Sequence, residues 1–217
     1  MFYSPFENSI NKILFVGINP SLDEDMVSCF KKIYGNDEYL TFSNLNMDNL
    51  DHWLNALIPF QEALMGKKAI EGVKKIPYFK AFDSIASDID YSGETEWEHY
   101  DLFSFRYTTQ KTIERVIESG AKRDDPKLMF YLNESLNRFK SIISKHKFKA
   151  IVIVNAYASR ILKNELALSW NEEIGTYQYE NDMPVFLSGM ITGQRALDTG
   201  SLERLKWHLR NIAKKKD

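Results

Sequence analysis

Ala150-Ile151-Val152-Ile153-Val154 is an unbroken aliphatic run, and the pattern on either side of it decides the fold. Short β-branched runs of this kind suit a strand covered on both faces. Before it, Asp125-Pro126 opens a helix that continues to about His146. Leu128, Leu132, Leu136, Phe139 and Ile143 form its apolar stripe. After it, residues 156–166 read as another helix. Lys12-Ile13-Leu14-Phe15-Val16-Gly17 repeats the buried-strand pattern and stops at a glycine. Residues 184–187 give a further inner strand, residues 174–180 an edge strand, and Tyr100 to Phe105 (YDLFSF) the second strand in chain order. Helices are expected over residues 23–34, from Thr108 or Thr109 through Ile117, and over residues 202–213.

Strands that alternate with helices predict an α/β fold. The expected architecture is a three-layer one. A central, mainly parallel four-stranded sheet is flanked by helices in a single domain spanning residues 1–217. Residues 35–98 fit that alternation poorly and read as a helical insertion. Asp48 or Asn49 caps a helix running to Pro59 or Met65. Pro77-Tyr78-Phe79 opens a second one, with Phe79, Phe82, Ile85 and Ile89 on one side. The aromatics of this stretch, Phe60, Phe82 and Trp97 among them, read mostly as core.

Composition narrows the function classes. Hydrophobic residues make up 44% of the 217 and charged residues 27%, which excludes a disordered or collagen-like chain. Lys and Arg total 28 against 30 Asp and Glu, so the net charge is -2. With no global positive field, any nucleic-acid site must be local. A single cysteine, Cys29, rules out an intrachain disulfide and multi-cysteine metal sites. It fits a reducing compartment. No export signal or apolar span is legible, so a cytoplasmic protein with no membrane partner is expected. Lys214-Lys215-Lys216 reads as solvation of a helix end.

Several chemistries lack their motifs. No G-x-G-x-x-G follows the first strand, and no G-x-x-x-x-G-K-[ST] or G-x-S-x-G occurs. His52, His99, His146 and His208 are scattered without i, i+3 or i, i+4 pairing. His99 with Asp101, Glu96 and Glu98 is the nearest approach to a cluster, and these read as solvated or capping side chains. No metal and no cofactor is therefore expected.

Ligands in parallel α/β sheets sit at the carboxyl ends of strands. The loops that matter are residues 17–23, 105–109, 155–159 and 188–200. Gly17-Ile18-Asn19-Pro20-Ser21 follows the first strand, with Pro20 holding Asn19 in an extended backbone. Asp101 to Arg106 forms or follows the second. Val152-Ile153-Val154-Asn155-Ala156 follows the long helix. Ser188-Gly189-Met190-Ile191-Thr192-Gly193 follows the last inner strand.

This order resembles the uracil-DNA glycosylase superfamily. Gly17-Ile18-Asn19-Pro20 is similar to the first motif of its mismatch-specific and single-strand-selective branches, G-[IM]-N-P-G, with Ser21 replacing the last glycine. Residues 151–159 resemble the third strand and following helix. Residues 185–197 occupy the place of the second motif and its intercalating loop. The resemblance implies a DNA-repair hydrolase that flips a nucleotide and cuts the N-glycosidic bond of uracil or another damaged base. DNA, single- or double-stranded, is the implied partner. Asn19 would hold the attacking water, and Ser188 would donate to the departing base in place of the family's histidine. Gly17, Ile18 and Pro20 would frame the base, with backbone N–H groups near Gly17 and Ile18 meeting its oxygens. Phe42 would stack on it. Ser104 would read its edge, and Arg106 would reach a phosphate or base. Met190, Thr192, Gln194 and Arg195 would meet DNA, and Met190, Ile191 or Leu197 would wedge into a duplex.

Plainer readings stand beside these. The glycine–Asn–Pro turn also suits a tight turn without function. Ser104 and Phe42 also suit a core, and Arg106 a surface ion pair. The absent histidine, and an Asn rather than an Asp at position 19, leave open a nucleic-acid or nucleoside-binding module on the same scaffold. A protein-interaction domain that uses the aromatics of residues 35–98 is the third reading.

Overall fold

The computed structural model describes residues 9–18, 24–35, 59–60, 62–89, 95–103, 109–180, 182–193 and 196–214. The chain divides into two compact units. One comprises Met1–Gly17, Tyr78–Tyr100 and Arg138–Asp217; the other comprises Ile18–Pro77 and Asp101–Asn137.

The first unit is built on a six-stranded mixed sheet. Its strands are β1 (Lys12–Gly17), β2 (Glu96–Asp101), β3 (Ala150–Ile153), β4 (Ser169–Asn171), β5 (Thr176–Tyr179) and β6 (Met183–Leu187), in the order β2-β1-β3-β6-β5-β4. Among the described residues the α-helices are α1 (Glu24–Tyr34), α2 (Lys80–Ile89), α3 (Gln110–Lys122), α4 (Pro126–Lys145), α5 (Ala156–Glu165) and α6 (Thr199–Lys214). Residues 59–60 and 62–65 are also helical. β3 pairs in parallel with β1 and β6, as expected for buried aliphatic strands. The expectation of four strands is corrected to six. β5 runs antiparallel to β6 and is followed outward by the short antiparallel β4, so residues 176–179 are not the edge. Asn171 Oδ1 accepts the N–H groups of Glu173 and Ile174, and Gly175 turns the chain with φ 64°. A tight turn thus adds a strand that is too short to show alternation.

The expected second strand is displaced as well. Leu102 and Phe103 are buried but lie beyond β2, which ends at Asp101. β2 is instead Glu-Trp-Glu-His-Tyr-Asp, and its alternation explains it. Trp97 and His99 face α2, where Phe82 stacks on Phe15 with ring centroids 4.4 Å apart and on His99 at 5.6 Å. Trp97 Nε1 donates to Asp83 Oδ1 at 3.0 Å. Glu98 points the other way and meets Lys12 Nζ at 3.0 Å, with Glu96 at 3.5 Å. Charged residues can build a buried strand here because Lys12, far away in sequence, neutralises them. His99 is 4% exposed, so the expectation of a solvated side chain is corrected.

Helices cover both faces of the sheet. α6 lies with α2, tied by Lys206 Nζ to Asp88 at 2.6 Å and by Arg210 Nε to the Asp88 carbonyl at 3.0 Å. On the other face, Phe139 of α4 packs 5.5 Å from Tyr100, and Lys140 pairs with Glu165 of α5 at 2.9 Å. Lys149 N donates to the Lys12 carbonyl and its Nζ to Thr95 Oγ1, at 2.9 and 3.1 Å. The amino ends of β1, β2 and β3 are therefore stapled by polar groups.

In the second unit, Phe30 of α1 packs edge-on against Phe60, with centroids 5.2 Å apart. α3 opens on Thr109, the expected cap, whose Oγ1 accepts from Thr112 N. Phe103 N donates to the Ile18 carbonyl at 2.9 Å, and the Phe103 ring meets Tyr131. Among the described residues, no helix is long and apolar enough to cross a membrane.

Candidate functional site

Three adjacent parallel strands of the first unit end in one row. The registers pair Val16 with Ile153 and Ile153 with Leu187, so Gly17, Val154 and Ser188 follow at the same level. The ladder continues one step past the strands. Val154 N donates to the Val16 carbonyl and Ser188 N to the Ile153 carbonyl, each at 2.9 Å. Carboxyl ends of this kind are where α/β sheets bind ligands.

The middle of the row is held by Asn155. It follows β3 in an extended backbone and caps α5. Its Oδ1 accepts from Tyr157 N at 2.9 Å and Ala158 N at 3.0 Å. The cap satisfies two of the four N–H groups that a helix start leaves without intrahelical partners. Asn155 is 7% exposed, so this carboxamide belongs to the interior of the edge. One turn on, Ser159 Oγ donates to the Ser188 carbonyl at 3.2 Å. The Arg160 guanidinium sits 4.7 Å above the Tyr157 ring and brings a positive charge to this end of α5.

Beyond Ser188 the chain makes a closed loop. Leu197 N donates to the Met190 carbonyl at 2.7 Å, and Met190 and Ala196 form a bridge pair. A Cβ on Gly189 would lie 3.2 Å from Leu197 Cδ2, so the neck admits little more than hydrogen there. Gly193 turns the loop with φ 90°. At the exit, Asp198 caps α6. Its Oδ1 accepts from Ser201 N at 2.9 Å and its Oδ2 from Ser201 Oγ at 2.6 Å. These bonds from Ser201 hold the Asp198 carboxyl below the usual carboxylate range.

The sequence-predicted residues fall as follows. Gly17 ends β1 and is buried, and Ile18 is 5% exposed with its carbonyl engaged by Phe103 N. Ser188 is half-buried at the end of β6, and Met190 and Thr192 are half-buried in the closed loop. Asn19, Pro20, Phe42, Ser104, Arg106, Gln194 and Arg195 lie outside the described residues. Two of the three wedge candidates do not project: Ile191 is 7% exposed, and Leu197 packs over Gly189. Sequence reasoning assigned no role to Asn155 or Ser159. An Asn immediately before a helix start is a capping signal in its own right. The Ser159–Ser188 bond spans 29 residues and leaves no local trace.

Beside the Arg160 charge, the described part of this edge offers the neutral hydroxyls of Ser188 and Thr192 and backbone N–H and C=O groups. Such groups hydrogen-bond a planar polar ligand and stabilise developing charge, but they do not take up protons near neutral pH. Among the described residues, no three His, Cys, Asp or Glu side chains gather as a metal site. No protein-family model, no curated protein and no solved structure matches this chain.

Proposed function

We propose that the chain is a uracil-DNA glycosylase-like hydrolase that cleaves the N-glycosidic bond of uracil or another damaged or mismatched base in DNA. The observation that carries this reading is the row Gly17, Val154, Ser188 at the carboxyl ends of three neighbouring parallel strands. It supports treating the end of β1 at Gly17 and the Ser188 loop as parts of one functional edge. The chemistry suits neutral groups. As the base–sugar bond breaks, its electron pair leaves on the base and positive charge builds on the sugar. A water oxygen then bonds to C1′ and releases a proton, which the departing base takes up through solvent. The water needs positioning rather than a strong base, and Asn19 supplies a carboxamide for that task. Ser188 stabilises the negative charge on the base, as a hydroxyl donor aimed at developing charge. The lone Cys29 suits a reducing, intracellular site of action.

The test is release of free uracil from single- and double-stranded oligonucleotides. Asn19→Ala and Ser188→Ala are each expected to lower the rate by about 10²–10³. Equal release by the wild type and Asn19→Ala removes the role of position 19. No release from any damaged base overturns the proposal. A second reading, a nucleic-acid-binding module on the same scaffold, is favoured by one observation: Ser188 stands where the resembled family has a histidine. Salt-dependent DNA binding without base release would select it.

A further inference from the structure

We infer that Ser159 is a positioning residue that fixes the direction of the Ser188 side chain; the inference rests on the glycosylase reading of the same edge. Two hydrogen bonds hold the peptides on either side of the Ser188 Cα. Its N–H donates to the Ile153 carbonyl at 2.9 Å, and its carbonyl accepts from Ser159 Oγ at 3.2 Å. With both flanking peptides fixed, the Cα–Cβ bond of Ser188 has a set direction relative to β3. Ser159 is itself firmly mounted. It lies in the first turn of α5, its N–H donates to the Asn155 carbonyl at 2.8 Å, and the Asn155 side chain caps the same turn. The next residue, Gly189, lies against Leu197 across the neck of the loop, so the chain cannot relax outward without opening that neck. Loss of the Ser159 bond therefore releases the one peptide of Ser188 that no strand holds. A hydroxyl that stabilises developing charge depends steeply on placement; a misplacement of about 1 Å can lower a rate by about 10²-fold.

The experiment is a double-mutant cycle on the full chain, read as kcat and KM for uracil release from a single-stranded oligonucleotide. Ser159→Ala is expected to lower kcat by at least about tenfold and to leave KM within about twofold, because the interaction it supports forms in the transition state. Ser159→Thr, which keeps a hydroxyl, is expected to retain most of kcat. In the Ser188→Ala background, Ser159→Ala is expected to have no further effect, since the group it positions is gone. An equal loss in both backgrounds assigns Ser159 a general structural role and overturns the inference. Full activity of Ser159→Ala also overturns it, while the glycosylase reading stands. Absence of release by the wild type overturns both. Should Ser159→Ala fail to fold, Ser159→Cys, isosteric but a weaker donor, carries the same comparison.

Discussion

Asn155 stands between the central strand and the helix behind the candidate site, and its carboxamide starts that helix. Replacing it by Ala leaves the Tyr157 and Ala158 N–H groups without their acceptor. The expected cost is about 1–2 kcal/mol, measurable as a lower urea midpoint. Asn155→Asp keeps an acceptor at the same place and is expected to remain near wild type. Gly120 is a second residue where opposing effects can be weighed. It lies in α3, where Ala would gain about 1 kcal/mol of helix propensity. A Cβ there, however, would overlap Leu128 Cδ2 and lie 3.2 Å from its Cγ, and Leu128 is only 1% exposed. Overpacking of this kind costs about 1–3 kcal/mol. Gly120→Ala is therefore expected to lower stability in spite of the better propensity, and a rise in the urea midpoint would show that Leu128 has room to turn.

At the scale of elements, α6 is fastened by charge at its start and at its middle. At its start, Asp198 accepts from Ser201; further on, Lys206 lies between Asp88 at 2.6 Å and Glu203 at 3.1 Å. Asp88 first, and Glu203 after it, raise the Lys206 ammonium above its ordinary value of 10.5. Folding thus favours the protonated form. The stability it contributes is complete below about pH 10.5 and drains as pH climbs through the higher folded value. Asp198 works in the opposite sense. Its contribution is complete above the ordinary 3.8 and fades as pH falls through the lowered folded value. Lys206→Met is therefore expected to be less stable than wild type at about pH 9, with the difference narrowing as pH climbs above 10.5 in urea titrations. A constant difference across that range would mean that lost packing, rather than charge, explains the variant. The elements that sequence shows well are those whose signal is their own. The aliphatic runs of β1 and β3 and the apolar stripe of α4 need no partner to be recognised. β2 is different: Glu-Trp-Glu-His-Tyr-Asp becomes a strand only because Lys12 meets Glu98 and the rings of α2 receive Trp97 and His99. The neighbouring Leu102 and Phe103 drew the expected strand towards themselves. β4 has three residues and an exposed Trp170, too little to alternate. For the candidate site, the ends of β1 and β6 are legible as strand ends, the first followed by a glycine–Asn–Pro turn and the second by a loop with Gly189 and Gly193. The clamp on Ser188 was not, because it joins two residues that only the fold brings together.

For the whole molecule, the charge balance sets how it would meet DNA on the proposed reading. With 28 Lys and Arg against 30 Asp and Glu, no broad field gathers phosphates from a distance. Affinity on the proposed reading must come from a few local contacts and from the flipped base. Arg106 and Arg195 are the cations of the candidate set, and Arg160 adds a third at the first turns of α5. Three neutralised phosphates give a slope of log affinity against log salt of about -3 on duplex and about -2 on single strands. Arg160→Ala is expected to reduce that slope by about one unit on duplex and to weaken binding to all sequences alike. These slopes are measurable by titrating a labelled oligonucleotide at several salt concentrations. A slope steeper than about -6 would require a basic surface that the net charge argues against. A flat slope would mean that the chain makes no phosphate contacts, and a base-flipping enzyme that grips no backbone has nothing to pull against.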